Sequence, residues 1–513
     1  MRRSTQILSH GLLILTALQS CSPGRHGSAS GEQNETGRAS SDGSVPPPAY
    51  ELALPDYLRT KLSQPFTGDL DAMVERRIIR VAAPFSRTFY YIANGVQRGL
   101  SYEYMKLYED QLNAALPKDH PWVFVVVLPI ARDRLLPELV AGKVDMVAAQ
   151  LTVTPDRSRV VDFTTPTRTE VNEVQVSGPG TSPLASAAEL SGKTVFVRKS
   201  SSYFQSLQRL NQALRKSGKA PVDIQPAPEN LEDDDLLEMV NAKLIPATVV
   251  DNYLALFWKN LFPNLVLSEQ APVHAGGNLA VAIRKSSPKL AASLNGFIHQ
   301  YGLKSATGAV LNKRYLQNPD YVKDANSKAE RAKFLATVNL FRQYGQKYDF
   351  DYLLMAAQGY QESRLDQNAR SGVGAIGVMQ LMPKTGEELA VGDVHQLPPN
   401  IHAGVKYMSF LRDRYFANEP MDRLNTELFT FASYNAGPGK VRQLRREAAS
   451  RGLNPNVWFG SVEQVAAERS GPETVTYVSN IFKYYIAYKL IVEEKKRRDA
   501  SKQTIAQNSA RTR

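Results

Sequence analysis

The chain changes its hydrophobic periodicity once, near Lys304, and this change limits the folds open to it. Before it, short apolar runs such as "IIRVAAP" and "WVFVVVLP" alternate with amphipathic helical stretches such as "GLSYEYMKLYEDQLNAAL". After it, apolar residues recur only at helical spacing, as in "TVTYVSNIFKYYIAYKLIVEEKK". Because 513 residues also exceed what one hydrophobic core usually serves, we predict a multidomain protein, α/β followed by all-α.

The first residues have the pattern of an export signal. Arg2 and Arg3 precede the apolar run "ILSHGLLILTAL", which leads into "LQSC" and Cys21. This run is shorter than the ~20 apolar residues that a bilayer core requires, so residues 1–21 are predicted to be a signal peptide and not a membrane span. Cys21 is the only cysteine, which excludes an intramolecular disulfide.

Both ends of the chain outside the predicted domains are polar. Residues 22–76 begin with a Ser, Gly and Pro-rich stretch that has almost no large apolar side chain, and such a segment cannot repay the entropy of folding. We therefore predict a flexible tether over 22–76. Residues 496–513 are polar and basic, and we predict a disordered tail there.

The net charge of +12 comes from Lys and Arg residues spread along most of the chain. No nucleic-acid recognition motif accompanies the charge, and the chain carries an export signal, so nucleic-acid binding is not expected. The seven histidines include no H-E-x-x-H or similar ligand spacing. No metal and no cofactor are therefore expected.

Residues 361–383, "QESRLDQNARSGVGAIGVMQLMP", carry the most chemistry in the helical half. The preceding stretch predicts a helix that begins at Asp349 or Asp351 as N-cap and ends near Glu362. Three glycines follow, which let backbone approach a ligand closely, and Pro383 suits the first turn of the next helix. A carboxylate at a helix end against a glycine loop is a reasonable cleft wall, so Glu362 is a candidate catalytic residue.

Asp366 lies four residues after Glu362, and on one helix the two carboxylates would share a face at about 5–6 Å. The letters "DQNARSG" indicate that the helix has already ended there, which suits a turn or cap. Glycosidases with two catalytic carboxylates place them on both sides of the scissile bond, ~5 to 9.5 Å apart. We therefore predict one catalytic carboxylate.

Five stretches in order, "ES", "GAIGVMQLMP", "NIHAGVKYM", "ASYNAGPGKV" and "ETVTYV", resemble the motifs of the soluble lytic transglycosylase family, which has a goose-lysozyme-like fold. The resemblance places this domain at 334–495. It implies that Glu362 is the sole catalytic acid and base. It also implies a set of substrate-binding residues: Ser363, Met379, Gln380, Tyr434 and Asn435.

The implied substrate is the glycan strand of peptidoglycan, and the implied reaction cuts the β-1,4 bond between N-acetylmuramic acid and N-acetylglucosamine without consuming water. Glu362 would protonate the leaving oxygen and then accept the proton of the muramyl C6 hydroxyl, leaving a 1,6-anhydro end. Such an acid needs its pKa raised by about two units, and a wall of Met379, Met382 and Tyr434 is predicted to raise it by desolvation. The alternatives are a hydrolytic goose-type muramidase and a catalytically inactive cell-wall-binding lipoprotein.

Residues 142–166, "GKVDMVAAQLTVTPDRSRVVDFTTP", resemble the signature of type 3 periplasmic solute-binding proteins. The resemblance extends over 77–315, with a linker at 316–333, and implies two α/β lobes that close on an amino acid or muropeptide. It implies that Arg157 holds the ligand's α-carboxylate and that Asp251 meets its α-amino group. Ser201 lies near a predicted helix start, where backbone donors favour anions.

The position of Cys21 directly after the apolar run resembles the bacterial lipobox. The resemblance implies a mature chain that begins at Cys21 and is held by acyl chains at the periplasmic face of a membrane. Ser22 replaces the aspartate that retains lipoproteins in the inner membrane, which favours the outer membrane. A plain signal peptide or a free thiol is the alternative.

Overall fold

A computed structural model describes residues 62, 64–93, 96–118, 120–325, 328–470 and 472–511. Cys21, the signal peptide and most of the expected tether lie outside these residues. None of the described helices is both long enough and apolar enough to cross a membrane.

The described residues form an α/β half followed by a helical half, as the change in periodicity predicts. The strands are β1 (Ile78–Ala83), β2 (Tyr91–Ala93), β3 (Val96–Arg98), β4 (Phe124–Pro129), β5 (Met146–Thr152), β6 (Asp162–Phe163), β7 (Arg168–Ser177), β8 (Thr194–Arg198), β9 (Asp223–Ala227), β10 (Ala247–Asp251), β11 (Val266–Leu267) and β12 (His274–Ile283). The helices of this half are α1 (Leu70–Arg76), α2 (Leu100–Ala115), α3 (Leu135–Val140), α4 (Pro155–Val160), α5 (Ser202–Lys216), α6 (Asp233–Asn241), α7 (Asn252–Lys259), α8 (Pro288–Tyr301) and α9 (Ala306–Leu316).

Only helices follow in the described part of the chain after α9. They are α10 (Asp320–Ala325), α11 (Lys328–Tyr348), α12 (Tyr352–Ser363), α13 (Pro383–Leu389), α14 (Leu397–Tyr415), α15 (Arg423–Ala436), α16 (Pro438–Ser450), α17 (Glu463–Ser470) and α18 (Pro472–Arg511).

The main sheet has the strand order β4-β1-β5-β12-β7-β10-β8-β9. Parallel pairs lie at its two ends, where β1 joins β4 and β5, and β8 joins β9 and β10. The antiparallel strands β7 and β12 connect these ends. We call the part built on β1, β4 and β5 lobe 1, and the part built on β8, β9 and β10 lobe 2. The predicted two-lobed α/β architecture is confirmed.

Strand β4 joins the helical half to lobe 1, because the side chains on both faces of the strand are buried. Val125 and Val127 pack with Met105 of α2 in the core of lobe 1. The alternate residues, Phe124 and Val126 among them, belong instead to the buried cluster of the helical half. Because successive side chains of a strand point to opposite faces, the apolar strand β4 contributes to two hydrophobic cores.

The expected disordered tail at 496–513 is wrong for residues 496–511, which continue helix α18. The side chain of Arg498 is 6% exposed, and its guanidinium forms ion pairs with Asp234 at 2.8 Å and Asp235 at 2.5 Å. Lys502 pairs with Asp235 at 2.5 Å. The basic residues that indicate disorder by composition are therefore held by the acidic N-terminal turn of α6.

The boundaries of the first domain also need correction. The last residues of the expected tether form α1, which begins after the N-cap Asp69 and buries Met73. The expected linker at 316–333 contains α10 and the start of α11. The folded region therefore begins before residue 77 and continues through most of the linker.

Candidate active site

Helix α12 delivers Glu362 to the site in its last turn. The helix begins at Asp351, whose carboxylate accepts a hydrogen bond from the backbone N–H of Leu353 at 2.9 Å. Of the two predicted N-caps, Asp351 is therefore the one used. The helix ends at Ser363, because Arg364 adopts a left-handed conformation with φ 57°.

The carboxyl group of Glu362 is held by a tyrosine of another helix. The Tyr477 hydroxyl of α18 donates to Glu362 Oε1 at 2.5 Å. Gln358, one turn before Glu362, donates to the same hydroxyl at 3.3 Å. Within the described residues, Glu362 Oε2 makes no hydrogen bond, so one carboxylate oxygen is fixed and the other has no partner there.

Burial sets the protonation state of this group. Desolvation raises the pKa of Glu362 to about 8, against the lowering effect of the Tyr477 hydrogen bond. The predicted upward shift and its origin in desolvation are confirmed, but Met382 of the predicted wall is 44% exposed. Burial, and next the nearby Glu362 charge, hold the pKa values of Tyr434 and Tyr477 well above their usual range, so both hydroxyls remain protonated donors.

The residues after Glu362 form a turn, as predicted. Asp366 is exposed, and its Oδ1 accepts from the backbone N–H of Asn368 at 2.9 Å. The Ser363 hydroxyl lies 3.2 Å from the Gly359 carbonyl and 3.0 Å from the Val378 carbonyl, and can donate to either. Ser363 therefore ties the helix end to the glycine loop, and its contact with substrate stays a prediction.

The expectation that the Met379 side chain lines the cleft is wrong. It is fully buried against Gly404 of α14, where an added Cβ would lie 2.5 Å from Met379 Cγ. The missing side chain at Gly404 provides the space that Met379 fills. The Met379 carbonyl nevertheless shapes the site, since it accepts from the Tyr434 hydroxyl at 2.7 Å. Gln380 is half-buried and donates to the Gly377 carbonyl at 2.9 Å.

Three helices and the glycine loop thus converge on Glu362. Asn435 follows Tyr434 on α15, is exposed, and accepts from the Thr474 hydroxyl of α18 at 2.8 Å. Tyr477 is the site residue that the sequence reasoning missed. The motif "ETVTYV" contained it, but helical spacing indicates only that such a tyrosine is buried. Within the described ranges, no three His, Cys, Asp or Glu side chains are grouped so as to hold a metal ion.

A second site lies between the two lobes, around a cavity of ≈ 180 Å³ whose lining includes Thr152, Arg157, Ser200, Ser201, Ser202 and Tyr203. Arg157 donates to the carbonyls of Thr152 at 2.8 Å and Ser200 at 3.0 Å, so it bridges the lobes. Ser201 is the N-cap of α5, as its predicted place at a helix start requires. Asp251 is buried and does not line this cavity; its backbone N–H donates to the Tyr203 hydroxyl at 3.2 Å.

The raised pKa of Glu362 predicts a pH-dependent effect of Glu362→Gln on stability. The group has a folded-state pKa near 8 and an ordinary value of 4.5, so its ionisation opposes folding as the pH rises between these values. We expect Glu362→Gln to leave the free energy of unfolding unchanged at pH 4 and to raise it at pH 8 and above. Denaturant unfolding across this range measures the difference, with the exposed Glu387→Gln as the control. A gain that does not depend on pH would contradict the shift.

Comparison with known proteins places both halves in families. Residues 339–456 match the transglycosylase SLT domain, and residues 79–318 match the bacterial extracellular solute-binding proteins, family 3.

A membrane-bound lytic murein transglycosylase F of Desulfosudis oleivorans is 30% identical over 418 residues, which cover 77% of this chain and 86% of the relative. One of Aeromonas salmonicida is 28% identical over 440 residues, which cover 82% and 84%. The crystal structure of an ancestral amino acid-binding protein, a precursor of cyclohexadienyl dehydratase, aligns with a TM-score of 0.40 and 22% identity over 48% of this chain and 99% of that chain. Both domain matches and the long alignment show that the chain belongs to the membrane-bound lytic murein transglycosylase F family.

Proposed function

We propose that this peptidoglycan lytic transglycosylase uses Glu362 as its only catalytic acid and base. The observation that supports this most directly is the raised pKa of a single carboxyl group. Burial raises the pKa of Glu362, the Tyr477 hydrogen bond only partly offsets this rise, and no other carboxylate contributes. A hydrolase with two catalytic carboxylates would need a second one within ~5 to 9.5 Å.

In the first step, neutral Glu362 donates its proton to the glycosidic oxygen between N-acetylmuramic acid and N-acetylglucosamine. In the second, the resulting carboxylate accepts the proton of the muramyl C6 hydroxyl, whose oxygen attacks C1. The C1–O bond to the leaving sugar breaks, a C6–O–C1 bond forms, and Glu362 regains its proton. Because the Tyr477 hydroxyl donates to Oε1, it favours the charged form between the two steps.

Glu362→Gln should abolish the clearing of purified sacculi, since the amide can neither give nor take the proton; a positioned acid and base contributes ~10²–10⁴ in rate. Asp366→Asn is the matched control and should retain activity, because an asparagine can keep the turn hydrogen bond. Turbidity and product masses are measured for both.

The masses also separate the alternatives. Products that end in 1,6-anhydromuramic acid are one water lighter than hydrolytic products. Reducing ends alone would indicate a goose-type muramidase, and no release by the unmodified protein would indicate an inactive wall-binding lipoprotein.

We also propose that Cys21 carries lipid and holds the enzyme at the periplasmic face of the outer membrane. The lipobox-like position of Cys21 supports this, and the relatives are named membrane-bound. Metabolic labelling with a fatty acid is expected for the unmodified chain and should be lost in Cys21→Ser. Label that persists in the variant would exclude lipidation at this residue.

We further propose that an amino acid or muropeptide bound at Arg157, Asp251 and Ser201 alters access to Glu362. Helix α18 supports such coupling. Tyr477, near its start, bonds to Glu362, and Arg498 lies 21 residues later, about 32 Å along the helix axis. There Arg498 contacts both lobes, because it donates to the Phe85 carbonyl of lobe 1 at 3.0 Å and pairs with α6 of lobe 2.

The lobes themselves are joined at the same place. Arg87 of lobe 1 pairs with Asp234 at 2.7 Å, and Arg132 of lobe 1 pairs with Glu232 at 2.8 Å. These ion pairs must therefore break when the lobes open, and they lie next to the contacts that Arg498 makes. A movement of the lobes and the position of Tyr477 are thus linked by one continuous helix.

Arg498→Ala should loosen both ends of α18. We expect faster hydrogen–deuterium exchange in the N-terminal turn of α6 and also in residues 474–478, because the helix loses its fixed end. The exposed Gln503→Ala on the same helix is the control. Faster exchange confined to α6 and the end of α18 would contradict coupling to the Glu362 site.

A further inference from the structure

The charged side chains around the cavity between the lobes are not all paired. Arg132 binds Glu232 through two nitrogens, and Arg198 pairs with Asp233 at 2.6 Å. Arg157 and the exposed Asp133, which line the cavity, have no such partner in the described residues, and neither have two buried carboxylates nearby. Arg157, Glu173 and Asp251 form no salt bridge within the described part of the chain. Arg157 lines the cavity, and Glu173 and Asp251 lie outside its lining but close enough for their charges to act on Arg157.

Glu173 lies beside Asp251 on the sheet. The two residues are direct partners in the antiparallel pair of β7 and β10, so their side chains are on the same face. Glu173 is 1% exposed, and neither of its carboxylate oxygens has a hydrogen-bond partner in the described residues. Asp251 is 3% exposed, and its Oδ1 also lacks a partner there. His274, the partner of Glu173 on β12, donates no hydrogen bond to it.

Burying an ionised carboxylate without a hydrogen-bond partner costs free energy. The neighbouring negative charges increase this cost for Glu173 and Asp251. Burial, and then the carboxylates of Asp233 and Glu173, hold the pKa of Asp251 well above its usual range. A cation placed between Glu173 and Asp251 would reduce both the cost of burying these carboxylates and the repulsion between negative charges.

Arg157 belongs to the same group of charges. Burial lowers the pKa of Arg157 to about 10, and the charges of Glu173 and Asp251 oppose this lowering. Its guanidinium has five N–H donors, and contacts to two backbone carbonyls leave others for a ligand. An anion can therefore bind Arg157 while cations bind the two carboxylates.

We propose that Glu173 forms a second cation-binding position in this site, and that the ligand is a free diamino acid with one carboxylate and two ammonium groups. The inference rests on the proposed binding role of Arg157 and Asp251. The carboxylate of the ligand pairs with Arg157, its α-ammonium group with Asp251, and its side-chain ammonium group with Glu173. A neutral amino acid leaves Glu173 buried without a partner and binds more weakly.

Titration calorimetry on the full chain tests this with L-lysine, L-ornithine and L-norleucine, which has the lysine carbon skeleton without the side-chain ammonium group. We expect L-lysine and L-ornithine to bind at least about 10-fold more tightly than L-norleucine, as loss of one charged hydrogen-bonded contact implies. Glu173→Gln should remove this preference and leave the affinity for L-norleucine unchanged. The exposed Glu269→Gln of lobe 2 is the matched control and should keep the preference.

The outcomes separate this inference from the binding role on which it rests. Equal affinity for L-lysine and L-norleucine, or a preference that survives Glu173→Gln, would overturn the cation position and leave amino-acid binding standing. Absence of binding by all three would overturn both. The unfolding midpoint of Glu173→Gln, compared with that of the unmodified chain, shows that a lost preference does not come from unfolding.

Discussion

The hydrogen bond between Tyr477 and Glu362, within a pocket that desolvates both groups, is the interaction on which the catalytic half depends. Burial alone makes the glutamate a strong base that holds its proton. The tyrosine hydroxyl at 2.5 Å works in the opposite direction and stabilises the carboxylate. The balance gives a pKa of about 8, so the group is neutral near pH 7 and yet able to ionise during a reaction. One carboxyl can therefore act first as an acid and then as a base.

The helix that carries Tyr477 also explains why the two halves are not independent. Helix α18 packs against β4 of lobe 1, and its last turns reach the acidic start of α6 in lobe 2. A second contact, the ion pair of Arg77 with Glu463, fixes the edge of lobe 1 to α17. The position of Tyr477 is thus supported by contacts with the solute-binding half, and these contacts are the physical basis for the proposed regulation.

Local sequence signals predicted much of this structure. The two periodicities gave the order of the α/β and helical halves, and Asp351, Asp366 and Pro383 occupy the cap, turn and first-turn positions expected of them. Glu362 could be selected because a carboxylate, a helix end and a glycine loop are adjacent in the chain. These features depend on neighbours within a few residues.

The remaining features depend on contacts between distant parts of the chain. Met379 is buried because Gly404, 25 positions later, leaves room for it. The tail is helical because Arg498 meets carboxylates more than 260 residues earlier. Composition and periodicity contain no information about such pairs. For the same reason, Glu173 has the spacing of an ordinary strand residue until the sheet register places it beside Asp251.

The proposed reaction requires that Glu362 keeps its proton at neutral pH. The most direct measurement is a titration of its carboxyl carbon by NMR in protein labelled with ¹³C-glutamate, with the signal assigned by its loss in Glu362→Gln. We predict a midpoint near 8 for this one carboxyl group. A midpoint close to the ordinary 4.5 would show that the group is already ionised at neutral pH and would contradict its role as the acid.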